Sequence, residues 1–202
     1  MSSDKRFVMS RVPKGSGWAL DLAGGLGDLF SPLVGRGYRY VNLDLEPSGD
    51  GSKVRGDAHR LPFSAARFEV VVSSDSLEHF KEPTVAMREV CRVLKPHGLV
   101  VIWVPFMHPF HGDDYYRYTP LGLRRLLEEG GLRSVSIEAP LWIFSVFAQM
   151  VLAVLQRMGL GPLGESVKRA AWWLDKRLSR FQGPNLSFAA AYLVVARRTL
   201  ME

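Results

Sequence analysis

The sequence contains a single cysteine, Cys91, among its 202 residues. One thiol can form neither an internal disulfide nor a cluster of thiolate metal ligands, so we expect a protein of a reducing compartment. There is no internal repeat or low-complexity segment, and residues 1–17 lack the apolar run of a secretory signal. We therefore expect a cytoplasmic protein in which Cys91 packs in the core.

Long hydrophobic runs are also scarce. The longest stretch without a charged residue, 139–156, only just reaches the length at which a membrane span becomes arguable. The charged segment 164–181 that follows could not cross a bilayer back again, and the apolar segment 187–198 has to return to the same sheet as the earlier strands. We therefore predict that 139–156 does not span a membrane.

The composition is that of a folded domain, with 47% hydrophobic and 23% charged residues. A chain of this length fits one domain, 1–202. The net charge of +6 is uneven, because residues 141–202 contain eight lysines and arginines but three acidic residues. An anionic partner should therefore meet the C-terminal third of the chain.

Short apolar segments alternate with segments of helical period, which is typical of an α/β fold with a parallel sheet between helices. The pattern predicts helices over 28–35, 83–94 and 119–132, the last capped by Thr119. It predicts strands over 18–22, 38–44, 68–74, 98–105, 134–140 and 187–198. The long connection before the last strand, about 141–184, is predicted to be a helical insertion.

A glycine-rich turn, with Gly24, Gly25 and Gly27, follows the first predicted strand. Glycines at this place let the backbone turn tightly and let a ligand approach the main chain at the carboxyl edge of the sheet. Dinucleotides and S-adenosylmethionine both bind to such turns. The dinucleotide pattern G-x-G-x-x-G would require glycine where the sequence has Phe30, which argues against pyrophosphate binding.

Three acidic residues favour the second cofactor. Asp21 lies in the first predicted strand, Asp44 ends the second and Asp57 follows it. The Asp44 carboxylate can accept hydrogen bonds from both ribose hydroxyls, and Asp57 can accept one from an adenine amine. This arrangement suits a ligand with a cationic amino-acid end, a ribose and an adenine, whereas a pyrophosphate would be repelled.

Five motifs in order, DLAGGLG, VNLDLEP, GDAHRLPF, FEVVVSSDSLEHF and RVLKPHGLVVIWVP, resemble those of the class I S-adenosylmethionine-dependent methyltransferases, in particular the small ubiquinone/menaquinone-methyltransferase-like group. The resemblance runs from Trp18 to Pro105. It implies a Rossmann-like three-layer sandwich around a mostly parallel seven-stranded sheet with an antiparallel last strand. One departure is Ala23, which stands where the family has a glycine and should narrow the turn only slightly.

The resemblance also implies the cofactor contacts. Asp21 would lie near the methionine amino group, Asp44 on the ribose and Leu45 against the adenine. The remaining implied contacts are backbone groups of Ala23, Gly25 and Gly27, the adenine-edge residues Asp57 and Ala58, and Ser74 near the methionine moiety.

The segment 108–120, HPFHGDDYYRYTP, is the richest in groups that transfer protons, and we expect it above the ends of the fourth and fifth strands. We predict His111 as general base with Asp113 or Asp114 in support, of which we assign Asp114, and His108 as a further catalytic candidate. Tyr116 and Arg117 would position the acceptor. The spacing also permits a divalent metal or a purely structural cluster, and our prediction includes no metal.

By resemblance, His79 faces the same edge and is assigned to the acceptor site, although a structural role is also open. The insertion 141–184 is predicted to be a lid over a hydrophobic or lipid-linked acceptor. Trp172 and Trp173 beside lysines and arginines suit contact with the inner membrane surface through 141–182. A buried helix in the core or a homodimer interface is the alternative.

We therefore predict an S-adenosylmethionine-dependent methyltransferase that methylates oxygen or carbon of a small molecule. A noncatalytic binding protein of the same fold and an NAD(P)-dependent oxidoreductase are the alternatives. No nucleic-acid partner is expected, because the predicted strand 68–74 ends in SSDSLEHF rather than in the Asn- or Asp-Pro-Pro-aromatic motif of amine methylation.

Overall fold

The computed structural model describes residues 3–108, 112–159, 164–178 and 189–199. The strands are β1 (Trp18–Leu22), β2 (Arg39–Asp44), β3 (Ser52–Arg55), β4 (Phe68–Ser74), β5 (Leu94–Pro105), β6 (Leu132–Trp142) and β7 (Ala189–Arg198). The helices are α1 (Ser3–Arg11), α2 (Phe30–Val34), α3 (Pro83–Val93), α4 (Pro120–Glu129), α5 (Ile143–Arg157) and α6 (Gly164–Leu178), with one turn of 3-10 helix over Leu77–His79.

The strands form one sheet in the order β3-β2-β1-β4-β5-β7-β6. The first five strands in this order are parallel to one another, whereas β7 is antiparallel to both β5 and β6. This topology confirms the predicted seven-stranded sheet with an antiparallel last strand.

Alternate residues of the central strands pack on opposite faces of the sheet, as the pleat requires. Leu20 of β1 belongs to the core that includes Met87 of α3 and Leu123 of α4. Its neighbour Ala19 belongs to the core on the other face, with Val8 of α1 and Leu33 of α2. Helices therefore cover both faces, which gives the predicted three layers.

Several predicted elements lie where the sequence placed them, and β1 and β4 have the predicted bounds. Thr119 caps α4, since its Oγ1 accepts a hydrogen bond of 3.1 Å from the Gly122 amide. The strand predicted to start at residue 98 starts at Leu94, because Leu94 already pairs with Phe68 before a shift in register. Cys91 is half-buried against the core, and its thiol donates to the Gly131 carbonyl at 3.2 Å.

Helices α5 and α6 connect β6 to β7, and we call this pair the helical insertion. Because β5 and β6 are both antiparallel to β7, β6 ends at the same edge of the sheet as the parallel strands. The helical insertion therefore begins at the edge where β1, β2 and β4 also end. Across the parts of the chain that the structure describes, every helix falls short of the length and apolar character that a bilayer span requires.

Candidate active site

The site is built at the carboxyl ends of β1, β2 and β4. From β1 the chain continues to β2 on one side, while β4 pairs with β1 on the other. The order of the strands therefore reverses at β1, and a crevice opens there beyond the strand ends. Ligands of open α/β sheets bind in such a crevice.

The chain leaves β1 through a bend over residues 23–27. Ala23, Gly25 and Gly27 have φ values of 54°, 49° and 72°. Left-handed backbone costs alanine about 1–2 kcal/mol. Alanine in place of the family's glycine therefore strains the backbone at residue 23, and the prediction of only a slight narrowing of the turn understated its effect. Gly24 has no room for a side chain, because an added Cβ would lie 2.5 Å from Cγ of Asp21.

Asp44, the last residue of β2, is fixed against this bend. One of its carboxylate oxygens accepts a hydrogen bond of 2.9 Å from the Gly25 amide. The other accepts one of 3.0 Å from the Glu46 amide. The carboxylate is therefore oriented by two backbone donors, and each oxygen keeps lone pairs for further donors.

A cleft of about 660 Å³ opens beside Asp44. The family-implied residues Ala23, Leu45 and Ala58 line it together with Asp57. His59 holds Asp57, with its backbone amide 2.9 Å and its ring Nδ1 2.6 Å from the same carboxylate oxygen. The other residues that line the cleft are Leu43, Gly56, Asp75, Ser76, His79, Phe80, Lys81 and Glu82.

A smaller cavity of about 160 Å³ lies on the other side of the bend, and Ala23 lines both. Three predicted cofactor residues, Asp21, Gly25 and Ser74, line this cavity, together with Lys5 of α1. Gly27 lies on the bend, but it is not among the residues that line either cavity.

The Asp21 side chain is almost completely buried and accepts a hydrogen bond of 2.8 Å from the Tyr40 hydroxyl. Burial raises the pKa of Asp21 to about 6, against the effect of the Tyr40 hydrogen bond and of nearby Lys5. A cation bound beside Asp21 would therefore find a carboxylate that is ionised at neutral pH and poorly solvated.

Asp75 follows β4 directly and was not among the predicted site residues. Its backbone has a left-handed φ of 51°, and the residue lines the cleft. Burial and the adjacent carboxyl group of Asp4 raise the pKa of Asp75 to about 7. The Ser74 hydroxyl lies 3.3 Å from the Asp4 carboxylate and 3.2 Å from that of Asp75, so it can donate its one proton to either.

His79 ends the 3-10 turn and lines the cleft opposite Asp44 and Ala23. Its Nδ1 lies 3.1 Å from Oδ1 of Asp114, whose side chain is 1% exposed, and 3.3 Å from the Asp113 carbonyl. Arg117 donates to the other oxygen of Asp114 at 2.6 Å. Since both neighbours of Nδ1 are acceptors, the proton of a neutral His79 belongs on Nδ1.

Glu78 lies beneath His79 and is fully buried. Burial raises the pKa of Glu78 to about 8, with a smaller contribution in the same direction from the nearby Asp75 and Asp114 carboxylates. Its backbone carbonyl accepts from the amides of Tyr115 and Tyr116, which fixes the segment 112–118 over the 3-10 turn. Donor atoms of Glu78, His79 and Asp114 lie within 4.8 Å of one another, a spacing that a metal ion accepts.

The predicted catalytic segment is only partly brought to this site. Asp114 lies against His79, and Arg117 pairs with Asp114. His108 takes part through its carbonyl, which accepts from Arg117 at 3.4 Å, and the Tyr116 hydroxyl donates to the Lys81 carbonyl at 3.1 Å. His111 lies outside the described residues.

Comparisons with known proteins agree with this geometry. The model of a family described as a methyltransferase domain matches residues 20–102. A demethylmenaquinone methyltransferase of Renibacterium salmoninarum is 34% identical over 132 residues, which cover 60% of this chain and 55% of that protein. A ubiquinone/menaquinone biosynthesis C-methyltransferase of Yersinia enterocolitica is 36% identical over 178 residues, 67% of this chain and 70% of that protein.

The chain belongs to the class I S-adenosylmethionine-dependent methyltransferases.

A solved S-adenosylmethionine-dependent methyltransferase from Mesorhizobium loti has the same fold, with a TM-score of 0.64, 18% identity and 98% of each chain covered. Several of the curated relatives are longer proteins, and the chain spans about half of their length.

The residues present fit the cofactor of this family. The cleft offers an oriented carboxylate for a diol at Asp44 and apolar walls at Leu45 and Phe80. The adjoining cavity offers carboxylates for a cationic amino-acid end. Sequence reasoning missed Asp75 and His59, although Asp75 carries the signal of an acidic residue directly after the strand beside the glycine bend.

Proposed function

We propose that this methyltransferase transfers the methyl group of S-adenosylmethionine to oxygen or carbon of a small, hydrophobic acceptor. One observation carries the proposal: Asp44, Asp57, the bend residue Ala23 and His79 all line the same cleft. The cofactor can thus bind against the adenosyl-binding residues while the acceptor lies beside the candidate base in the same cleft.

The cofactor would supply an electrophilic methyl group on a sulfonium. We assign the ribose hydroxyls to Asp44, the adenine to Leu45, Asp57 and Ala58, and the backbone contacts to Ala23, Gly25 and Gly27. Asp21 and Ser74 would face the amino-acid end. Asp75 lines the cleft at the end of β4, between these two groups of residues, and would add negative charge beside the positive sulfur.

We propose His79 rather than His111 as the base that accepts a proton from the acceptor. The supporting geometry is at Nδ1, which lies within hydrogen-bond distance of the Asp113 carbonyl and 3.1 Å from the Asp114 carboxylate. These two acceptors favour a proton on Nδ1, so that Nε2 is the nitrogen able to accept one. Arg117 fixes Asp114 in turn. Because Arg117 already pairs with Asp114, we assign the trio of Glu78, His79 and Asp114 to proton transfer and not to a metal.

The acceptor class is suggested by the relatives, two of which are described as methyltransferases of demethylmenaquinone and of ubiquinone or menaquinone biosynthesis. Aromatic side chains lie close to His79 in the chain and in the fold. Phe80 lines the cleft, and the rings of Tyr116 and Tyr118 stack on each other with their centroids 5.6 Å apart. We therefore propose an aromatic or enolic acceptor whose hydroxyl gives its proton to His79 while oxygen or the adjacent carbon is methylated.

A hydrophobic acceptor of this class would reside in the membrane. We therefore propose that the protein is cytoplasmic and binds peripherally to the inner membrane surface. The helical insertion stands at the same edge of the sheet as the cleft. None of the described residues that line the cleft belongs to α5 or α6. The lid over the acceptor therefore stays a prediction. The single domain over 1–202 is likewise still a prediction. A homodimer through the same helices is the competing arrangement.

Calorimetric titration with S-adenosylmethionine and with NADH tests the cofactor. Binding of the first alone supports the proposal, whereas binding of NADH alone would favour an oxidoreductase. A methyl-transfer assay with a reduced naphthoquinone then separates an enzyme from a noncatalytic binding protein. Cofactor binding without transfer to any acceptor of a membrane lipid extract would support the binding protein.

A further inference from the structure

The helical insertion exposes an apolar stripe that the core does not use. It consists of five residues along one side of α5 and its C-terminal end: Phe147, Met150, Val151, Val154 and Met158, each at least 45% exposed. Their spacing of three and four residues places them on one helical face. The opposite side of α5, with Val146, Ala148 and Leu152, is buried.

Helix α6 has an outer face of different chemistry, which we call the basic–aromatic face. Trp172 and Trp173 are each more than half exposed. The Lys176 ammonium lies 5.0 Å above the Trp172 ring, and the Arg177 guanidinium lies 5.3 Å from the Trp173 ring. These four residues together line a shallow groove of about 250 Å³.

The two helices are held as a pair by a polar contact on their inner side. The amide of Ser145 donates to the Asp175 carboxylate at 3.2 Å, and its hydroxyl donates to the same oxygen. Asp175 is 2% exposed. This acidic residue of α6 therefore faces α5 and does not belong to the basic–aromatic face.

We infer that the apolar stripe of α5 and the basic–aromatic face of α6 together form a docking surface for an anionic lipid bilayer. Apolar residues enter the acyl boundary, indole rings prefer the interface, and lysine and arginine attract anionic headgroups. Docking itself depends only on this surface. Its use, to bring a lipid-soluble acceptor to the edge that carries the cleft, rests on the proposed function.

Charge complementarity favours a bilayer over a second copy of this chain. In a two-fold dimer the same patch of both copies meets, so the interface would collect the Lys176 and Arg177 cations of both copies. The basic excess of residues 141–202 adds to this repulsion. An anionic bilayer instead gains from every one of these cations.

Co-sedimentation of the full chain with vesicles tests the inference. We expect the protein to pellet with phosphatidylcholine vesicles that contain phosphatidylglycerol, to pellet far less with pure phosphatidylcholine, and to dissociate as salt is raised. The double variant K176E/R177E should bind anionic vesicles at least about tenfold more weakly. Dissociation by salt should be partial, and W172A/W173A should lose the remaining, salt-resistant part of the binding.

The matched control is K53E/R124E, which makes the same change in charge at exposed positions on β3 and α4. Equal vesicle binding by K176E/R177E and wild type would overturn the inference, and so would wild-type protein that stays in the supernatant at low salt. A dimer in sedimentation equilibrium that W172A/W173A dissociates would assign the surface to self-association instead. S-adenosylmethionine titrations of the same samples report separately on the proposed function.

Discussion

His79 and Asp114 form a fixed pair, with the histidine Nδ1 3.1 Å from a carboxylate oxygen that is buried and held from its other side by Arg117. A carboxylate in this position orients an imidazole and stabilises the charge that appears when the ring takes a proton. The pair joins a residue of the 3-10 turn to one 35 positions later, so only the folded chain creates it.

The His79→Asn variant should lose about 10²- to 10⁴-fold in kcat and keep its affinity for S-adenosylmethionine. The reason is that asparagine preserves a polar side chain at the cleft but cannot accept the proton. Methyl transfer at saturating cofactor measures the loss, and calorimetry checks the cofactor. His97→Asn, a change on the opposite edge of the sheet, is the control and should leave kcat unchanged.

Asp114→Asn should lower kcat less than the loss of His79 and move the pH–rate profile, because the imidazolium loses its carboxylate partner. The acidic limb of the profile, where the proposed base becomes protonated, should shift towards lower pH. An Asp114→Asn enzyme with reduced kcat but an unmoved pH profile would indicate a purely structural role for the pair.

The affinity for S-adenosylmethionine should fall as the pH drops through about 7, the raised pKa of Asp75. Protonation removes a negative charge beside a positively charged ligand. S-adenosylhomocysteine lacks the sulfonium charge, so its affinity should depend less on pH over the same range. Titration calorimetry of both ligands across this range checks this expectation. In the Asp75→Asn variant, the difference in pH dependence between the two ligands should shrink.

The same carboxyl group has the opposite effect on stability. Its pKa is raised in the folded protein, so its stabilising contribution is complete below its ordinary value of 3.8 and is lost as the pH rises through about 7. Above neutral pH, the unfolding free energy of Asp75→Asn should therefore exceed that of wild type by about 1–2 kcal/mol. Denaturant titration of both proteins measures this difference. A variant that is destabilised equally at all pH values would contradict this linkage.

Replacement of Ala23 by glycine should relieve the left-handed strain at the bend. We expect a gain of up to about 1 kcal/mol in unfolding free energy, together with tighter cofactor binding because a methyl group is removed from the cleft wall. Ala66 has the same φ of 54° at an exposed position. Ala66→Gly should therefore give a similar gain in stability with no change in cofactor affinity.

Much of the fold follows from local sequence. β1 and β4 are continuous apolar segments, and Thr119 with Pro120 marks the start of α4, so these elements were predicted at or near their observed bounds. Strand β3 was missed because SKVR is a short, mostly exposed edge strand without an apolar run. Helix α1 was missed because its sequence, SDKRFVMSR, has little amphipathic pattern and packs only through residues such as Val8.

The site divides in the same way. Asp44 and the glycine bend adjoin strands that pair directly, so parallel topology alone brings them together. The proposed base could not be identified in this way, because His108, His111 and Asp114 share one segment, whereas His79 lies on the 3-10 turn. The contact between His79 and Asp114 depends on the Tyr115 and Tyr116 amides binding the Glu78 carbonyl, which no local pattern encodes.

Calorimetric titration of S-adenosylmethionine into the wild type and the Asp44→Asn variant tests most directly whether the cleft is the cofactor site. Asparagine can accept from only one side, so we predict an affinity about ten- to a hundredfold lower for Asp44→Asn, with Asp50→Asn, at an exposed loop position, indistinguishable from wild type. Equal affinity in wild type and Asp44→Asn, with both proteins folded, would contradict the account.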